Sequence, residues 1–64
     1  MRSTKIKAGD WECRPVGSDA TFRIKRDFYR GGWFIWNSAG LKFSEMRFET
    51  FKLARIFLAD KVAA

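Results

Sequence analysis

The chain has no histidine, a single cysteine (Cys13) and a single proline (Pro15) in 64 residues. Each scarcity removes a class of chemistry. Without imidazole or a second thiol, the usual zinc sites, the Ser-His and Cys-His nucleophile pairs and an internal disulfide have no residues to build them. Cys13 has no base to activate it and reads as a buried, silent thiol in a reducing compartment. No apolar run exceeds four residues, the length of Trp33–Trp36, whereas a membrane span needs roughly 18. The first residues carry no apolar stretch of the signal-peptide kind. These features lead to the expectation of a cytoplasmic protein with no membrane partner. The Gly31-Gly32 pair precedes a strand and not a helix, so it makes no phosphate-binding loop. The carboxylate pairs Glu45 with Glu49 and Asp10 with Glu12 are of a kind that protein surfaces carry routinely. The chain is therefore expected to be no enzyme and to use no metal or other cofactor.

What is present is positive charge and aromatic bulk. Thirteen Lys and Arg stand against seven Asp and Glu, a net charge of +6, with seven Phe, three Trp and one Tyr. A domain this short buries only about 60% of the surface of its unfolded chain, and aromatic rings, at roughly 150–250 Å² each, are an efficient way to fill a small core. The expectation is one domain over 1–64, with monomer and homodimer both open. Basic residues are densest at Arg23, Lys25, Arg26 and Arg30, a cluster that either attracts phosphate or serves as a solvated face.

Turn residues punctuate the chain at 15–19, 31–32 and 37–40, and the pattern between them is that of strands. The sequence predicts strands at about 5–14, 20–29, 33–38 and 41–48, with Pro15 ending the first because it has no amide to donate. Gly31-Gly32 predicts a two-residue hairpin in which Arg30 opposes Trp33 and Phe28 opposes Ile35. A 3.6-residue apolar arc of Phe51, Leu53, Ala54, Phe57, Leu58 and Val62 predicts a helix at about 50–62, capped by the Thr50 hydroxyl. The fold class is α+β: a small antiparallel sheet of three to four strands with one C-terminal helix packed on one face.

Period-two alternation then sorts the side chains. Phe22, Ile24, Phe28, Trp33, Ile35, Met46 and Phe48 are expected beneath the helix, with Arg26 an exception placed at a strand end. Tyr29, Phe34, Trp36, Leu41 and Phe43 are expected on the opposite face, with Arg23, Lys25 and Arg47. That face has no second helix to cover it, so it either receives residues 1–16 or binds a partner. The candidate binding set is Arg23, Lys25, Tyr29, Arg30, Phe34, Trp36, Phe43 and Arg47. Rings interleaved with cations suit nucleic acid, where bases stack and phosphates are neutralised. Trp, Tyr and Arg are equally the residues of protein hot spots, so an acidic protein surface is the alternative partner.

Over residues 20–64, the sequence "YRGGWFIW", then "RFETFKLAR" and a closing "ADKVAA", resembles a three-stranded DNA-binding fold. It is shared by plant ethylene-response-factor domains and the N-terminal arm-binding domains of phage-type tyrosine integrases. The resemblance implies a sheet that meets DNA, rather than RNA, through Arg23, Lys25, Trp36 and Arg47. The Trp11 strand and the apolar character of the open face depart from that pattern. Compact size together with this resemblance frames the alternative as a phage-encoded inhibitor or adaptor that docks on a host or defence protein.

Overall fold

Alternation of apolar and charged residues builds a four-stranded antiparallel sheet, and the computed structural model describes it over residues 1–63; Ala64, the last residue of the expected domain, lies outside the described residues. The strands are β1 (Arg2–Lys7), β2 (Asp10–Arg14), β3 (Phe22–Arg26) and β4 (Trp33–Asn37), followed by the helix α1 (Phe51–Ala63). They lie in the order β1-β2-β3-β4, each antiparallel to the next, and α1 packs on β3 and β4. Pro15 follows directly on β2, as its missing donor requires.

The expected strand 5–14 is two strands. The chain reverses between Lys7 and Asp10, with Gly9 at a φ of 74°. Glycine is required there twice over: the dihedral is left-handed, and a Cβ would come within 2.5 Å of the Phe28 ring. Residues 1–16 therefore widen the sheet sideways and do not fold across its open face. The outer edge of β1 carries Arg2, Lys5 and Lys7 and a register irregularity between Lys5 and Lys7. Charge and bulging are common means of discouraging edge-to-edge pairing with another chain.

The hairpin between β3 and β4 also differs from expectation. Arg26, and not Arg30, pairs with Trp33, and Ile24, and not Phe28, pairs with Ile35. Residues 27–32 form one longer turn, closed by the Asp27 amide donating to the Gly32 carbonyl (2.9 Å) and the Gly31 amide donating to the Asp27 carbonyl (2.8 Å). The register is displaced by four residues, and an even displacement leaves each strand side chain on its expected face. Phe28 leaves the strand, however, and is 68% exposed instead of buried beneath the helix.

Residues 41–48 are not a strand. They border β4 through two isolated bridges, Trp33 with Phe48 and Trp36 with Lys42. Amides donate from Asn37 to Leu41 (2.8 Å), Phe43 to Ile35 (2.8 Å), Trp33 to Phe48 (2.7 Å) and Phe48 to Trp33 (2.9 Å). Between these contacts the Ser44 hydroxyl accepts from the Met46 amide (3.1 Å), a local turn that competes with a ladder. Met46 is consequently 52% exposed and no part of the core. The edge of β4 is nevertheless satisfied by this segment.

The core consists of Cys13, Phe22, Ile24, Ile35, Phe48, Ala54 and Leu58, with Trp11, Trp33, Phe51, Phe57 and Val62 packed around it. Trp11 stacks on Phe51 with ring centroids 4.7 Å apart, and Phe48 meets Phe57 at 5.0 Å. The helix begins where Thr50 caps it, its Oγ1 accepting from the Leu53 amide at 3.1 Å. Leu53, expected in the buried arc, is 48% exposed, so the contact stripe is narrower than the sequence arc. Leu58 is fully buried, and Leu58→Ala is expected to cost about 2–5 kcal/mol. Leu53→Ala should change stability by less than about 1 kcal/mol. Urea unfolding followed by circular dichroism measures both, and equal losses would contradict this helix orientation.

Candidate functional site

On β4 the buried Ile35 points toward the helix, so its neighbours Phe34 and Trp36 point away from it. Pairing across the sheet decides what stands beside them. Lys25 is opposite Phe34 and Arg23 is opposite Trp36 on β3, while Lys42 is opposite Trp36 on the other side. The aromatic pair is thus flanked by a column of cations on β3 and by cations of the edge segment. Beyond β3 comes a column of acids, with Asp10 opposite Lys25 and Glu12 opposite Arg23.

Lys42 was absent from the sequence-derived set because the alternation assigned to 41–48 was one residue out of phase at Lys42 and Phe43, although Arg47 and Phe48 lie on their expected sides. Its Nζ lies 4.7 Å from the Phe34 ring centroid and 5.7 Å from that of Trp36, a cation–π arrangement over both rings. Phe43 goes the other way. It turns its ring to Phe22 in an edge-on contact (5.1 Å) and joins the margin of the core, not the open face. Leu41, also expected on that face, is exposed in the loop, where its carbonyl serves the edge of β4.

The remaining residues define a concavity of about 670 Å³ lined by Lys25, Arg26, Asp27, Arg30, Phe34, Trp36, Lys42, Glu45 and Arg47. Five cations face two carboxylates in it. A second hollow of about 370 Å³ shares Lys25 and Trp36 as common walls and extends to Glu12, Arg23 and Gly40. Of the expected set, Lys25, Arg30, Phe34, Trp36 and Arg47 come together in the larger hollow, and Arg23 lines the smaller. Arg23 is already engaged: its Nη1 donates to both carboxylate oxygens of Asp10, at 3.0 and 3.2 Å. Asp10 is itself buried, so this pair locks β2 to β3 as well as occupying a cation of the face.

Arg47 reaches the hollow by crossing the backbone of Gly32. A Cβ at Gly32 would come within 2.3 Å of the Arg47 Cγ, and the φ of 88° is again left-handed. The Arg47 guanidinium extends on to the Arg30 carbonyl at 3.5 Å. The second glycine of the turn thus lets a basic side chain lie flat beside the aromatic pair.

The turn itself is held by Asp27, which the sequence reading placed within a strand. Its Oδ1 accepts from the amides of Tyr29 (2.9 Å) and Arg30 (3.1 Å). These two backbone donors, Arg30 first, hold the Asp27 carboxyl below its ordinary value of 3.8. The turn presents Tyr29 fully exposed at its tip, outside the sheet face on which it was expected. An Asp at the start of a turn is a recognisable signal for this capping, and it outweighed the two glycines.

Cys13 is fully buried, with its Sγ 3.5 Å from the Ser3 hydroxyl, and burial raises its pKa above the ordinary thiol value. Among the described residues no three His, Cys, Asp or Glu side chains gather as a metal site, and no helix is long and apolar enough to cross a membrane. No family model matches the chain, and no curated protein or solved structure matches it.

The lowered Asp27 pKa has a direction in pH. A carboxyl held below its unfolded value stabilises the fold above that value, and the contribution disappears as pH falls through the folded pKa. Asp27→Ala is expected to lower the melting temperature at pH 7 and to remove this loss on acidification below about pH 4. Asp27→Asn keeps the acceptor and should retain more of the stability while removing the same pH dependence. Thermal unfolding of the three proteins at pH 7 and pH 3 checks both; an unchanged acid response in either variant contradicts the assignment.

Proposed function

We propose that this chain is a small, cytoplasmic, non-enzymatic binding module that takes nucleic acid on the open face of its sheet. The observation that carries the reading is the concavity in which Phe34 and Trp36 stand side by side among Lys25, Arg30, Lys42 and Arg47. Rings give bases a stacking surface, and the surrounding cations neutralise phosphates. The cation excess in the hollow is matched to a polyanion, and no strand or helix among the described residues covers it. The protein is proposed to act as a monomer, with the basic, bulged edge of β1 discouraging pairing between copies.

A second reading, a phage-type inhibitor or adaptor docking on an acidic protein surface, draws on the β3–β4 turn. Tyr29 and Phe28 are exposed there on a backbone braced by Asp27, and a pre-ordered aromatic tip beside Arg30 is hot-spot chemistry.

Salt separates the two. With four cations engaged, the logarithm of nucleic-acid affinity is expected to fall against the logarithm of salt with a slope of about −3. Lys25→Glu should flatten the slope by about one and weaken binding at low salt, with the fold unchanged by circular dichroism. Fluorescence anisotropy with labelled oligonucleotides provides both measurements. Absence of binding at low salt, or affinity indifferent to Lys25→Glu, removes nucleic acid as the ligand of this face.

A further inference from the structure

The Lys42 ammonium sits over the faces of both Phe34 and Trp36, 4.7 and 5.7 Å from the centroids, so those faces meet a flexible side chain and not the core. A ring face is a platform for another ring face. In a duplex each base has its faces covered by its neighbours and only its edges exposed in the grooves, whereas unpaired bases offer their faces freely. We infer that the open face holds single-stranded nucleic acid, with successive bases on Phe34 and Trp36; this rests on the nucleic-acid reading above and specifies its substrate.

Three further features of the face agree with one strand running along β4. Residues two apart on a strand are spaced by about 6.6 Å, so the two platforms serve two unstacked, extended nucleotides. Cations border the pair on either side, Lys25 on β3 and Lys42 on the edge segment, while the Glu12 carboxylate on β2 stands on the far side of β3. Four strands and the edge segment also make a surface about 19 Å wide between its outer axes, broader than the roughly 12 Å major groove that accepts a two-stranded ribbon.

Binding displaces the Lys42 ammonium from the rings, and its four-carbon stem lets it follow to the adjoining phosphate.

The experiment compares one mixed-sequence oligonucleotide of about twelve nucleotides as single-stranded DNA, single-stranded RNA and DNA duplex, titrated into the full chain at low salt. Anisotropy gives affinity, and tryptophan fluorescence reports stacking, since Trp11 and Trp33 face the helix side and Trp36 alone faces the ligand. Single-strand binding, of DNA and of RNA, is expected to be tighter than duplex binding and to quench the fluorescence. Phe34→Ala and Trp36→Ala should each weaken it by roughly five- to 150-fold, while Trp36→Phe keeps most of the affinity and loses the quenching. Duplex binding as tight as single-strand binding, absence of quenching, or indifference to both alanines overturns the single-strand assignment and leaves the nucleic-acid reading standing. No binding to any of the three overturns both readings. The wild-type comparison and the quenching decide the matter even if an alanine variant fails to fold.

Discussion

Ile24 and Ile35, paired across β3 and β4 and both fully buried, are the contact on which the rest of the molecule depends. Their burial beneath α1, where Ala54 and Leu58 complete the core, fixes which side of the sheet is inside. Once that parity is set, Lys25, Phe34 and Trp36 have no choice of side. The composition of the open face is thus a consequence of core packing on the other surface. In so small a chain the same five-residue strand has to supply both.

The two faces use aromatic rings differently. On the helix side Trp11, Trp33, Phe51, Phe48 and Phe57 make ring-to-ring contacts that fill volume. On the open side the rings of Phe34 and Trp36 meet an ammonium instead. A lysine over two ring faces shelters apolar surface from water at little cost. Glycine serves both arrangements by close approach: Gly9 beneath Phe28 and Gly32 beneath Arg47 each leave space that a Cβ would fill.

Much of this was legible in the residue pattern because parity is robust to error. The sequence-derived register of β3 against β4 was four residues out, yet the strand residues kept their faces, since side-chain direction repeats every two residues. The Thr50 cap and the strand stop before Pro15 were equally readable, being local chemistry of single residues. Phe28, Tyr29 and Met46 were misplaced for a shared reason. Each lies where a side chain or a neighbouring turn, Asp27 in one segment and Ser44 in the other, takes over backbone amides that a ladder would otherwise use. Phe43 keeps its amide bond to Ile35 but turns its ring to Phe22. Gly9 marked a reversal that the flanking alternation concealed.

By itself the sequence determined the α+β class, the parity of the central strands and a surplus of cations and rings beyond what one small core can hold. These follow from periodicity and count, which need no knowledge of distant contacts. Only the tertiary structure decided which cations stand beside which rings. It drew Lys42 across the chain onto Phe34 and Trp36, tied Arg23 to Asp10 and laid Arg47 over Gly32. Those neighbours are separated by 6 to 15 residues in the sequence, and their meeting is set by turn geometry and edge pairing rather than by any local preference.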